Sequence, residues 1–260
     1  MTATNERIPA VVLAGGGADE KIAQPLGLPH KSLVSVAGET SLCRVIASLR
    51  AAPSILDVVV VAQCEAVSQA CPAGVACVPP LGPNFVDTIR AGLEHFPEAS
   101  RILVCTSDLA LLTPEAVDDF VRQALDSGAD VCYSMVERGR LQGQPGEASR
   151  TYVRLREGRF TGGNVALLSR DFVERQGARL TQAFAGRKSP LALASMFGLP
   201  FIWRLVRGKL DVPALAKRGE HILHASLSVV DSHFVEVCFD LDDPEHVKQA
   251  EEILARRPAP

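Results

Sequence analysis

Apolar and polar positions fall in blocks along the first half of the chain. Ile8–Ala14 (IPAVVLA) is a solid apolar run that ends in three glycines, which predicts a buried strand and a tight loop. Ser41–Ala52 carries apolar residues at helical spacing, and Leu56–Ala62 is a second buried strand. Gly74–Pro80 predicts a third strand stopped by prolines, Pro83–Phe96 a helix, and Arg101–Asp108 a fourth strand. Thr113–Gly128 is a well-punctuated helix, with threonine as cap, proline in the first turn and glycine after its end; Ala129–Val136 is a fifth strand. Solidly apolar strands alternating with helices predict an α/β fold whose mostly parallel sheet is covered on both faces. Ligands bind such sheets beyond the carboxyl ends of the strands. Two polar features fall there: the glycines after the first strand and Asp108 after the fourth.

The second half is less regular. Thr151–Phe160 alternates like a strand and turns at Gly158, and Thr161–Leu168 (TGGNVALL) reads as a glycine-rich turn into another strand. From about Asp171 to Arg218 the pattern is mostly helical. LSVVD and FVEVCFDLD read as two late strands, and Pro244–Arg257 as a terminal amphipathic helix started by Asp243 and Pro244. Glu137–Ser149 is a polar, glycine-rich break, either a lid or a surface excursion.

Composition narrows the function classes. The 260 residues are 47% hydrophobic and 22% charged, which is globular rather than disordered. A formal net charge of -3 and 5% aromatics argue against a general nucleic-acid binder. The opening MTATNERIPA has no apolar core after a basic stretch, so no secretory signal is expected. The seven cysteines form no C-x-x-C pair and several sit inside apolar runs, so reduced thiols and a cytoplasmic setting are expected.

Four segments carry candidate chemistry. Leu13-Ala14-Gly15-Gly16-Gly17, followed by Lys21, allows backbone N–H groups to approach a phosphate, although it is neither G-x-G-x-x-G nor a Walker loop. Lys31, after two prolines, is placed to supply a point charge to a phosphate. Asp108 ends an apolar strand, where a carboxylate is costly unless it binds something, and a divalent cation is a natural partner. Asp240 and Asp242, two apart, share one face if they lie on a strand. For each segment an ordinary turn, surface lysine, capping carboxylate or surface carboxylate is the competing reading.

Taken together, these segments resemble the molybdenum-cofactor-guanylyltransferase-like nucleotidyltransferases, within the wider glycosyltransferase-A-like set. The family's first-strand loop is similar to Leu13–Glu20, its P-K lysine to Pro29-His30-Lys31, and its D-x-P-L-L-T-P stretch to Asp108–Pro114. Its G-[GT]-N segment is similar to Gly162-Gly163-Asn164, and its D-[IV]-D-[TK]-P-E segment to Asp240–Glu245. The chain departs from the pattern at Ala18, at Glu20 where an arginine is usual, and at Ala110. The resemblance implies a Rossmann-like three-layer α/β/α domain over 1–260, similar to the nucleotide-diphospho-sugar transferases, with a helical, apolar-basic insertion at about 171–225. It also implies Mg2+-dependent transfer of a nucleoside monophosphate from a nucleoside triphosphate to a phosphorylated or hydroxylated small-molecule acceptor, with release of pyrophosphate. Lys31 and Asp108 would be catalytic, and Asp108, Asp242 and Asp240 would hold the metal. Leu13, Ala14, Gly15, Gly16, Gly17, Lys21, Asn84 and Thr88 would bind the nucleotide, and Asn164 and Gly163 the acceptor; outside the resemblance, the basic Arg187 and Lys188 are placed by their charge to hold an acceptor phosphate. Two other classes stay open: an impaired nucleotide-binding or regulatory protein of the same fold, and a nucleotide-sugar-dependent glycosyltransferase, although T-S-D stands where the latter usually has D-x-D.

Phe184–Leu210 lies outside this resemblance. It is apolar with basic punctuation and is interrupted by Gly198 and Pro200, so its uninterrupted apolar stretch is too short for a spanning helix. A pair of core helices or a homodimer face is one reading; a substrate lid, or an interfacial helix pair for a lipid-linked acceptor or peripheral membrane contact, is the other.

Overall fold

The computed structural model describes residues 6–15, 21–142, 147, 150–186 and 196–257, with the side chains of 184–186 excluded. Gly16, Gly17, Ala18, Glu20, Arg187 and Lys188 lie outside the described residues.

Strand β1 (Ile8–Ala14) lies in the interior of the main sheet, between β6 and β4. Its residues point alternately to two apolar layers: Ala10, Val12 and Ala14 join one core, and Val11 joins the other. A strand buried on both faces in this way reads as a continuous apolar run, which is why no alternation marks it in the sequence. β1 pairs in parallel with β4 (Ile55–Ala62) on one side and β6 (Arg101–Thr106) on the other. The short pair β2 (Ser35–Val36) and β3 (Glu39–Thr40) forms a separate ribbon. With β5 (Ala76–Val78), β7 (Val131–Glu137), β9 (Arg159–Ser169) and β10 (Leu227–Asp231), the main sheet runs β10-β7-β9-β6-β1-β4-β5, and β8 (Val153–Arg154) pairs with β9. Among the described strands of this sheet, only β9 runs against its neighbours, pairing antiparallel with β6, β7 and β8.

Helices cover both faces. α1 (Ser41–Ala51), α2 (Glu65–Ala70) and α4 (Pro114–Ser127) bury Leu42, Ile46, Val67 and Phe120 on one side. α3 (Phe85–His95) and α6 (Arg170–Gly186) bury Ile89, Leu93 and Phe172 on the other. The single turn α5 (Arg138–Leu141) opens the polar break after β7. α7 (Leu199–Val206) and α8 (Val212–Leu223) follow α6, and α9 (Pro244–Arg256) closes the chain.

Two sequence expectations are corrected. Gly162-Gly163-Asn164 is not a turn but the middle of β9. A Cβ on Gly163 would lie 2.2 Å from Ser134 Oγ and 3.1 Å from the Val237 carbonyl, so close packing, not chain reversal, requires glycine there. The FVEVCFDLD segment is not a strand: Val235–Cys238 forms a 3-10 turn. Consecutive residues Val237 and Cys238 enter the core against α4, while Phe239 and Leu241 join a small cluster with Ala250 of α9. The predicted hairpin turn at Gly158 is present, with the Leu155 amide donating to the Gly158 carbonyl (2.8 Å).

Candidate active site

From β1 the sheet extends first to β4 and β5, and the chain then returns to β6 on the opposite side of β1. Such a reversal opens a crevice beyond the carboxyl ends of the two diverging strands. The Ser107 amide donates to the Leu13 carbonyl (3.2 Å) and is the last bond between β1 and β6 before the chains separate. Gly15 leaves the crevice on one side and Asp108 on the other.

Asp108 lies two residues beyond β6 and is buried. Lys31 approaches it from a 3-10 turn, Lys31–Leu33. Its Nζ is 2.5 Å from Asp108 Oδ2 and 3.6 Å from Asp242 Oδ1. Two neighbours hold the turn in place. His30 caps it, its Nδ1 accepting from the Ser32 amide (3.1 Å). Ser41 Oγ bridges the Ser32 and Ser107 carbonyls at 3.0 and 3.1 Å, which ties the lysine turn to the end of β6. The P-H-K spacing therefore has a local use, because the histidine is the cap that presents the lysine.

The third element arrives from the far end of the chain. The Leu241 amide donates to the Asp108 carbonyl (3.2 Å) and draws Asp240 and Asp242 alongside Asp108. One oxygen from each of the three carboxylates lies within 4.8 Å of the others. They meet on an irregular loop rather than on one face of a strand. α9 anchors that loop: Asp243 Oδ1 caps the helix by accepting from the His246 amide (3.0 Å), and the Asp242 amide donates to His246 Nδ1 (3.3 Å). Arg150 reaches Asp240 from behind, 3.1 Å from Oδ1, with its side chain 8% exposed.

The charges here are coupled. Burial works against the Lys31 ammonium, but Asp108, then Asp242 and Asp240, outweigh it and push the lysine up to about 12, so it stays charged. Burial, then the neighbouring charges of Asp242 and Asp108, push the Asp240 carboxyl up to about 6, with Arg150 opposing. The folded value lies above the ordinary value of about 3.9. Folding therefore favours protonated Asp240: that stabilisation is complete below about pH 4 and is lost as pH rises through about 6. In chelator, the wild-type melting temperature is expected to rise from pH 7 to pH 5 by more than that of Asp240→Asn. An identical pH response in the two proteins would refute the assignment.

Asp108 Oδ1 is buried and, among the described residues, accepts no hydrogen bond, although buried carboxylate oxygens are costly to leave without a partner. An unmatched oxygen, two further carboxylates within reach and an all-oxygen donor set together fit a hard divalent cation of the magnesium type.

The other anticipated residues distribute around the crevice. Leu13 and Ala14 end β1, and Thr88 of α3 stands over Gly15, its Oγ1 3.3 Å from where a Cβ on that glycine would sit. Asn84 precedes α3, its amide donating to Asp87 Oδ2 (3.2 Å). Lys21 is exposed just past the loop. Asn164 is half-buried on β9, one residue from Val165, the partner of Cys105 on β6. Gly163 is buried, and its carbonyl accepts from the Tyr133 hydroxyl (2.7 Å). Sequence reading missed Arg150, Ser41 and His246. His246 had a signal, three residues after its capping aspartate; Arg150 and Ser41 act across the fold and had none.

The profile of the MobA-like NTP transferase domain matches residues 10–205, which takes in the crevice, Lys31 and Asp108. The chain belongs to the MobA-like NTP transferase family. This MobA-like chain is therefore a nucleotidyltransferase, and its fold is that of the nucleotide-diphospho-sugar transferases. It is similar to a hypothetical transferase from Thermus thermophilus at 32% identity, over 93% of this chain and 99% of that one, with a TM-score of 0.80. A CMP:2-keto-3-deoxy-manno-octonic acid synthetase complexed with CTP shares the fold at 12% identity, over 96% and 99% of the two chains, with a TM-score of 0.61. The molybdopterin-guanine dinucleotide biosynthesis protein A from Archaeoglobus fulgidus shares it at 14% identity, over 96% and 100%, with a TM-score of 0.55. No match is found among curated proteins.

Proposed function

We propose that this MobA-like nucleotidyltransferase uses Mg2+ and transfers a nucleoside monophosphate to a phosphorylated or hydroxylated small-molecule acceptor. The observation that carries this reading is the convergence of Lys31 with three carboxylates, one of which has a buried oxygen without a partner, in the crevice between β1 and β6. An acceptor oxygen attacks the α-phosphorus, the bond from that phosphorus to the bridging oxygen breaks, and pyrophosphate leaves.

The protein's part is positioning and charge compensation, because the transferred group needs little covalent help. Asp108, Asp240 and Asp242 hold the divalent cation, which when bound neutralises charge on the phosphate oxygens. Lys31, kept charged by those same carboxylates, offsets charge at the α-phosphate. Arg150 holds Asp240 in place and limits the repulsion among the three carboxylates. In sequence terms, Gly15 to Gly17 and Lys21 bind the triphosphate and Asn84 and Thr88 the base, while Asn164 and Gly163, with Arg187 and Lys188, bind the acceptor.

Calorimetric titration of the four ribonucleoside triphosphates, each with and without Mg2+, tests this reading. One triphosphate is expected to bind, only with the metal, and that result also names the base. Binding of none of them would overturn the reading.

A further inference from the structure

Helix α7 is apolar on two sides. Phe201 and Leu205 face inward and pack on a cluster formed by Met135, Leu155, Phe160 and Leu210. Leu199, Trp203 and Val206, spaced four and three apart, form an outward stripe and are 73%, 53% and 78% exposed. A helix apolar all round belongs in a core or against an apolar phase; here the second side stays largely exposed.

The charge around this stripe is one-sided. Residues 196–218 contain Arg204, Arg207, Lys209, Lys217 and Arg218 against a single carboxylate, Asp211, in a protein whose net charge is -3. That carboxylate is already engaged: it caps α8 and lies 3.7 Å from Arg156. The Arg207 guanidinium lies 3.8 Å from the Trp203 ring centroid, and Lys209 Nζ 5.7 Å, so the cations rim the apolar stripe. Behind the helix, Arg204, Lys217 and Arg218 line a cleft of about 950 Å³ at the amino-terminal ends of β7 and β10, the opposite edge of the sheet from Asp108. The lining also holds Asp130, which accepts from Ser226 and Ser169, and Glu220, which accepts from the Leu227 amide, so the three cations outnumber the carboxylates by one. Arg218 Nε is buried there without an acceptor among the described residues.

We infer that α7 and this cleft form a docking surface for an anionic phospholipid membrane. Leu199, Trp203 and Val206 enter the acyl boundary, the rim cations lie at headgroup level with their stems along the apolar stripe, and the cleft takes a headgroup phosphate. Charge decides against a second copy of the chain as the occupant, since a two-fold contact would press five cations against the same five.

Trp203 is the only tryptophan in the chain, so its fluorescence reports on this surface alone. Vesicles of phosphatidylcholine containing one-third phosphatidylglycerol are expected to shift its emission to the blue and to sediment the protein. Partitioning should be at least about tenfold stronger than onto pure phosphatidylcholine and should weaken with salt. Leu199→Ser with Val206→Ser, which keeps the reporter, and separately Arg204→Gln with Lys217→Gln, should each lower partitioning about tenfold, with unchanged circular dichroism. An unshifted wild-type emission, equal binding to both vesicle types, or a solution dimer dispersed by Trp203→Ala would overturn the inference. The wild-type measurement decides even where a variant fails to fold.

Discussion

Asp108→Asn is expected to weaken divalent-cation binding roughly 100-fold and to remove nucleotidyl transfer with it. The magnitude follows from position. Asp108 is 2% exposed, and its Oδ1 is the oxygen without a protein partner. Its Oδ2 sets Lys31 at 2.5 Å, so one substitution removes the charge of a proposed ligand and loosens the lysine. The substitution is isosteric, and losing the ion pair is offset by relief of repulsion from Asp240 and Asp242. The melting temperature should therefore stay within a few degrees. Titration with Mn2+, followed by electron paramagnetic resonance, reads the affinity directly and needs no knowledge of the acceptor. Asp242 is 56% exposed and sits at the open side of the cluster, so Asp242→Asn should cost less, on the order of tenfold. Full Mn2+ affinity in Asp108→Asn would remove the metal assignment and the mechanism that rests on it.

Gly92→Ala is expected to destabilise the protein by about 2–3 kcal/mol, even though alanine is the better helix former by about 1 kcal/mol. A Cβ on Gly92 of α3 would meet Val11 Cγ1 at 2.3 Å, Cγ2 at 2.6 Å and Cβ at 3.0 Å. Val11 is fully buried on an interior strand, and its β-branched side chain is stiff about χ1. The helix must therefore lift away from β1, and that moves Thr88, which stands over Gly15. For a chain of this size the loss corresponds to a fall of roughly 5–10 °C in melting temperature. Val11→Ala should recover part of it, because the methyl groups it deletes make the space; a double-mutant cycle measures that coupling. Additive effects of the two substitutions would show that Val11 is not the obstacle.

Much of this architecture is legible from local pattern. The apolar run of β1, the helix opened by Thr113 and Pro114 and ended at Gly128, and the helix opened by Asp243 and Pro244 follow from periodicity and capping, which act over a few neighbouring residues. The same pattern misled at two places. Two adjacent glycines read as a turn, but in β9 they make room for Tyr133 and Ser134, which a different strand supplies. Alternation in FVEVCFDLD read as a strand, but the segment packs consecutive apolar side chains into two separate clusters.

By itself, the sequence determined the α/β alternation, the glycine loop and Asp108 at strand ends, and the acidic pair before the last helix, because strand ends and helix caps are local properties of the chain. Only the tertiary structure decided that Asp240 and Asp242 stand beside Asp108. That placement rests on the Leu241–Asp108 backbone bond and on the hold of His246 over the acidic loop. Tertiary structure alone likewise brought Arg150 to Asp240, a contact across 90 positions of chain. A site of converging charges is a sum over distant segments, and its geometry exists only once the sheet has brought those segments together.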